Sequence, residues 1–330
     1  MLYSLYGWSG LTWLKSDVQS LQRKRERKMK RNKGTYALVF CFVVGFLMIG
    51  CATTKKITAD ITGRGGGLKK KIAYLPTVNR TGYGGEVFKE SARAQFNNTL
   101  SSFCDDVIIV DSEKIRSLLE EIPRLPSGQL DTLVMAKLGR ALGLNAVLEE
   151  NLFQLECIDA KRGIYGFRDE CKIVQLYLRV RVYDVETAAI LVDEIVRDDV
   201  VVSEKEWLEI KERREYHQEI ANRLLNKTSS EICERVCELV SEKPWKGYFT
   251  SVIENTYILS AGSDVGLEVG DVLEVFEAGE PIKGRGGEVY LVSGPKIGEV
   301  HIRKLLNDQA EAFGVLQTDF DRISHVKLKE

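Results

Sequence analysis

The chain has 330 residues, 44% of them hydrophobic and 29% charged, with a formal net charge of −1. That size accommodates two domains with an ordinary core, and that balance excludes a fibrous or disordered chain. The charge is uneven: residues 1–50 carry nine basic side chains against Asp17 and Glu26, leaving 38 basic and 46 acidic over 51–330. Such a mildly acidic remainder argues against nucleic acid as a partner, since phosphate neutralisation needs clustered Lys and Arg.

An uncharged run of 17 residues, Gly34–Gly50, follows Lys30, Arg31 and Lys33. It is short for a membrane span of about 20 apolar residues and ample for a signal-peptide core, with the basic side held in the cytoplasm. The run ends Leu47-Met48-Ile49-Gly50-Cys51, which resembles the bacterial lipobox, where small or aliphatic residues precede a cysteine that is acylated before cleavage. Cys51 is the expected lipidation site, and residues 1–50 are read as leader and signal peptide; the alternative is an uncleaved single-pass anchor. Several acyl chains hold firmly, at about 0.8 kcal/mol per buried methylene. Met29 opens a segment that has the layout of a lipoprotein signal by itself, so residues 1–28 read as a misassigned start or as a removable leader. Ala52, where an aspartate would retain an enteric lipoprotein in the inner membrane, favours the outer membrane.

Residues 51–69 are read as the lipidated cysteine and a polar, glycine-rich tether. Gly63–Gly67 does not make a phosphate loop, because Leu68 stands where the second glycine of that pattern belongs. The span 70–243 then alternates strand and helix signals. Residues 70–77 read as a buried strand stopped by Pro76. Phe88, Ala92, Phe96, Leu100 and Phe103 recur three or four apart, the stripe of a helix over 84–103. A short strand over 105–110 precedes a helix capped by Asp111 or Ser112, carrying Ile115, Leu118, Leu119 and Ile122. A third helix, about 129–142, is expected to bury Leu133, Leu138 and Leu142.

Segments 145–157 and 171–184 read as long antiparallel strands. In the second, Val174, Leu176, Leu178, Val180 and Val182 face one side, and Tyr177, Arg179, Arg181 and Tyr183 form a wet face. A strand over 188–202 follows, and 203–243 reads as two charged helices broken at "NKTSS" (226–230). Short glycine-punctuated strands over 244–316 suggest a small β-barrel, with 317–330 a tail. The fold class expected is an α/β (α+β) layered domain with a mixed sheet, followed by a small all-β, barrel-like domain.

The order "KIAYLPTVNRTG", helix, "DVIIVDSEKIRSLLEE", "AKLGRALGLNAVLEENL", "LYLRVRVYDVETAAIL" resembles the CsgG family of curli-export lipoproteins over about residues 70–240. "GSDVGLEVGDVLEVFEAGE" with "IGEVHIRKL" is similar to the carboxy-terminal domain of flagellar assembly protein T. The resemblance implies envelope or appendage assembly proteins as partners and a possible homo-oligomer. Two features depart from the family. Glu149 and Glu150 stand in the region where it usually has a glycine. Segments 158–170 and 203–225 lack the apolar–polar alternation a membrane hairpin needs, so a tethered scaffold is expected rather than a secretion-channel subunit.

No catalytic, cofactor or metal residues are expected. His217, His301 and His325 share no metal or nucleophile–base spacing, and His217 reads as part of a solvated helix. Among the cysteines of the mature chain, Cys157 and Cys171 end and begin the two long strands. A bond between them would close a loop of about 15 residues, worth roughly 3 kcal/mol; the alternative is two buried thiols. Cys233 and Cys237, one helical turn apart, are badly placed for each other. They are expected to face the core, or one of them to pair with Cys104.

Overall fold

A computed structural model describes residues 67–329, apart from 126–127, 165–166 and 286. Cys51, the leader and most of the tether lie outside the described residues.

Six strands make the first sheet: β1 (Lys70–Tyr74), β2 (Val78–Asn79), β3 (Val107–Val110), β4 (Ala146–Ile164), β5 (Phe167–Asp184) and β6 (Ile190–Val202). Their order is β3-β1-β4-β5-β6, with β2 beside β4. β1 runs parallel to β3 and β4, whereas β4, β5 and β6 are antiparallel. The sheet is therefore mixed, as the sequence pattern implies.

One face is covered by α1 (Gly85–Phe103), α4 (Glu204–Arg213) and α5 (Gln218–Glu242), which close a core with Leu176, Leu178, Val180 and Val182. In α1 the stripe Phe88, Ala92, Phe96 and Leu100 is fully buried. Phe103 leaves the stripe and is 46% exposed; the next residue, Cys104, turns inward in its place. Gly84 caps α1 with φ 64°, and a Cβ there would stand 2.5 Å from the Tyr216 ring. Only glycine meets both conditions cheaply.

Among the described residues the opposite face is covered at one end only, by α2 (Glu113–Glu120) and α3 (Thr132–Ala141). Ser112 caps α2 by accepting from Ile115 N, and Asp131 caps α3 by accepting from Leu133 N and Val134 N. The buried face of α3 is Met135, Ala136 and Gly139, not the expected leucines. Gly139 sets that rotation, because it lets the helix approach Val185 until a Cβ would be 2.7 Å from Val185 Cγ2.

Two boundaries differ from expectation. β4 and β5 run on through 158–164 and 167–170, so the anticipated interstrand insertion is mostly ladder. α5 is continuous through 226–230, where Thr228 and Ser229 are buried and Thr228 Oγ1 donates to Leu224 O. The break lies earlier, at Arg214, whose φ of 55° ends α4.

The second sheet is antiparallel: β7 (Phe249–Ile253), β8 (Thr256–Leu259), β9 (Val272–Ala278), β12 (Ser293–Leu305), β13 (Ala310–Phe313) and β14 (Ile323–Leu328), in the order β14-β9-β12-β13-β8-β7. It is not a closed ladder; its two edges meet through a single bridge, Gly247 to Val326. β10 (Ile282–Lys283) and β11 (Val289–Tyr290) form a separate hairpin. The expected tail over 317–330 supplies β14, with Val326 fully buried in the core.

The parts expected as separate domains share side chains within one compact unit that begins at Gly67. Leu68 and Ile108 pack into the second sheet's core, while Tyr248 and Leu291 pack beneath α2 and α3. Lys71 pairs with Asp264 at 2.7 Å, and Lys246 pairs with Glu186 at 2.7 Å.

Candidate functional site

Side chains directly opposite one another in a ladder share a face, so the register of β4, β5 and β6 lays out the uncovered side of the sheet row by row. From the covered end outward the rows are Glu149–Arg181–Asp193, Asn151–Arg179–Ile195, Gln154–Tyr177–Arg197, Glu156–Gln175–Asp199 and Ile158–Ile173–Val201. Charged and amide rows thus lead to an apolar row near the hairpin end. Phe153, Ile195 and Val201 are 40%, 51% and 42% exposed on these strands.

The covered end is organised by Glu149, which is 2% exposed. Its carboxylate accepts from Tyr183 Oη at 2.7 Å, Arg124 Nη2 at 3.0 Å and Arg181 Nη1 at 3.3 Å. Burial opposes its ionisation, but the Tyr183 hydroxyl and the two guanidiniums outweigh burial and hold its pKa below the ordinary glutamate value. Burial, then the Glu149 charge, pushes the Tyr183 phenol up. Asp193 extends the network, receiving two 2.7 Å bonds from Arg179 and lying 3.2 Å from Arg181 Nε. With three donors on its carboxylate, Glu149 orients two arginines; it is not poised to take a proton from a substrate. Beside Arg181 and Tyr183 lies a cavity of about 190 Å³, walled by Leu125, Gln129, Ala188, Glu288 and Tyr290 among others.

The sequence pattern places Tyr183 on a wet face, yet it is 1% exposed, because α3 and the Leu130 segment close over that end. Glu150, the next residue after Glu149, points through the sheet into the opposite core. It is fully buried, and among the described residues only Thr77 Oγ1, 3.1 Å away, donates to it. Burial pushes its pKa up to about 7, against opposing effects from Thr77 and Arg93.

The structure overturns the pairing expected between Cys157 and Cys171. Cys157 lies opposite Val174 and Cys171 opposite Ala160, an offset of three residues that puts the two thiols on opposite faces. Both are free, and the disulfide joins Cys104 to Cys237 with Cα atoms 5.5 Å apart. Cys233, one turn before Cys237, is buried with a thiol pushed up by burial. Cys104, Cys237 and Asp106 cluster closely, but the bond uses both sulfurs.

His217 also differs from expectation. It precedes α5 as its cap residue, 3.3 Å from Glu209, with Glu215 alongside. His325 is 1% exposed, stacks on Phe276 and lies 3.0 Å from Lys246 Nζ. Burial first, then the Lys246 charge, drops its pKa to about 3.

No protein-family model matches this sequence, and no curated protein matches it. Among solved structures it is similar to the hypothetical protein CT253 from Chlamydia trachomatis, at 15% identity over 53% of this chain and 99% of that one, TM-score 0.37. It is also similar to lipoprotein GNA1162 from Neisseria meningitidis, at 11% identity over 49% and 97% of the two chains, TM-score 0.30. A third is a PelC dodecamer from Paraburkholderia phytofirmans, at 15% identity over 53% and 89%, TM-score 0.28.

Proposed function

We propose that the protein is a bacterial lipoprotein, anchored in the outer membrane through acylated Cys51 and facing the periplasm. There it acts as a non-enzymatic scaffold for an envelope structure, such as a surface appendage or secretion system. One observation carries the scaffold reading: the uncovered face of β4–β6 carries arginines, carboxylates and amides over four rows, followed by the apolar row Ile158, Ile173 and Val201. Such a face recognises a protein by matched ion pairs and apolar contact. The Glu149 network holds its arginines in place. The anchor rests on the sequence Leu47–Cys51, and the assembly class, including a homo-oligomer, on the resemblance to curli-export lipoproteins.

A channel subunit is the alternative. It draws on the length of β4 and β5, 19 and 18 residues, where a spanning strand needs about 9–11. Against it stand Asp159, Lys161, Arg162, Asp169, Glu170 and Lys172 near the hairpin end, which put charge on both faces and leave no lipid-facing band long enough to span. Export of residues 52–330 behind a signal peptide that is cleaved without lipidation separates the readings, since Cys51→Ser in the full chain would leave the apolar run Gly34–Gly50 uncut as an anchor. The scaffold reading expects acyl labelling to vanish and the protein to fractionate with the soluble periplasm, monodisperse without detergent. Retention in the outer membrane as a detergent-dependent oligomer would overturn it.

A further inference from the structure

We propose that Glu209, Glu215 and His217 form a binding site for one divalent transition-metal ion of the Zn²⁺ class, at the corner between α4 and α5. The corner is built by the backbone. Arg214, at φ 55°, stops α4, and its N–H donates to Ile210 O while Glu215 N donates to Glu209 O. That reversal lays Glu215 and His217 alongside the last turn of the helix. The ligand atoms of the three residues lie within 4.8 Å of one another.

His217 is held from behind. Its N–H donates to Tyr83 Oη at 2.8 Å, and that hydroxyl donates to His217 O at 3.3 Å. Tyr83 is itself fully buried, with its ring against Phe88 and Tyr216. These two bonds fix the backbone from which the imidazole projects.

One observation points to a cation rather than to a plain ion pair, and the spacing accommodates it. His217 Nε2 is buried and has no hydrogen-bond partner among the described residues, although Glu209 Oε2 is 3.3 Å away. That separation matches two ligands subtending a tetrahedral angle at bonds of about 2.0–2.1 Å, which stand roughly 3.3 Å apart. One imidazole with two carboxylates also suits Zn²⁺ or Mn²⁺ and balances a double charge. Glu215 is exposed and able to close onto the ion, while Lys205, 3.8 Å from Glu209 and largely exposed, is free to swing away.

The test is calorimetric titration of the full chain with ZnCl₂ after chelator stripping and alkylation of free thiols, with CoCl₂ absorbance in the visible as a second readout. One equivalent is expected, with d–d bands for Co²⁺. His217→Ala and Glu209→Gln should weaken binding by more than about tenfold, since even outer-shell changes cost about 10–100-fold. Glu215→Gln, on an exposed side chain that carries no packing, should weaken it as well and guards against a folding artefact. Absence of heat and bands, or unchanged affinity in Glu215→Gln and Glu209→Gln, would overturn the site.

Discussion

Replacing Glu150 with Gln should flatten a pH dependence that the wild-type protein carries across neutrality. In the fold this carboxyl has a pKa of about 7, against an ordinary value of 4.5. Between those values the folded chain holds a proton that the unfolded chain has released. Stability therefore falls as pH rises, by about 1.4 kcal/mol per pH unit, or about 3 kcal/mol in all. The groups facing Glu150 are Thr77, which donates to it, Arg93, which favours the charged form, and Tyr74 and Cys233, which share its buried surroundings. The glutamine amide carries a fixed cost of its own, so the informative quantity is the slope with pH and not the height.

Urea unfolding from pH 5 to 8, read by the fluorescence of buried Trp207 and Trp245, measures that slope. His325 works in the opposite sense. Its folded pKa is depressed to about 3 from 6.5, so its contribution is complete above 6.5 and is lost as pH falls. It is retained in both proteins and cancels in their difference. Glu149, Asp111 and Asp193, all held below their ordinary values, lose their contributions only as pH falls through the acid range below this window. The variant should gain about 2.5 kcal/mol relative to wild type between pH 5 and pH 8, the part of the full effect that falls inside this window. Parallel stability curves for the two proteins would refute the reasoning.

Peptide mapping without reduction should recover Cys104 linked to Cys237 and both Cys157 and Cys171 alkylated. Cys104→Ser should cost about 2–5 kcal/mol, because the bond spans 133 residues of chain; recovery of a Cys157–Cys171 peptide would contradict the register of β4 and β5. Gly139→Ala should destabilise the protein by about 1–3 kcal/mol through overpacking against Val185, despite the better helix propensity of alanine. A thermal melt equal to or above wild type would show that α3 shifts freely.

Legibility differed from element to element for physical reasons. The α1 stripe was readable because one helix face meets one sheet. The β5 alternation was readable too, since its two faces differ in wetness over most of their length. Toward the hairpin end that contrast fades, and charge spreads to both sides, so the ladder beyond 157 left no periodic trace. "NKTSS" has the composition of a breaker, but Thr228 returns its hydroxyl to the backbone one turn earlier and the helix continues. The true break at Arg214 uses a left-handed arginine, with no glycine to announce it. Glu149 and Glu150 were visible as adjacent charges in an apolar strand. Their opposite fates follow only from which cores the two faces meet. The link between Cys104 and Cys237 depends on a helix pairing that sequence spacing does not encode.

That helix pairing orders events in time. α1 and α5 lie parallel and in step: Tyr83 meets His217 at their beginnings, and Cys104 meets Cys237 at their ends. These two contacts each close a loop of more than 130 residues, and such closures are slow to form. When the chain emerges from its amino terminus, the apolar stripe of α1 must wait uncovered until residue 237 has followed. Chain order and oxidation are thereby coupled. Oxidation before α5 arrives leaves Cys104 only wrong partners, Cys157 and Cys171 foremost, so the native bond records that the last helix of the first layer reached the first.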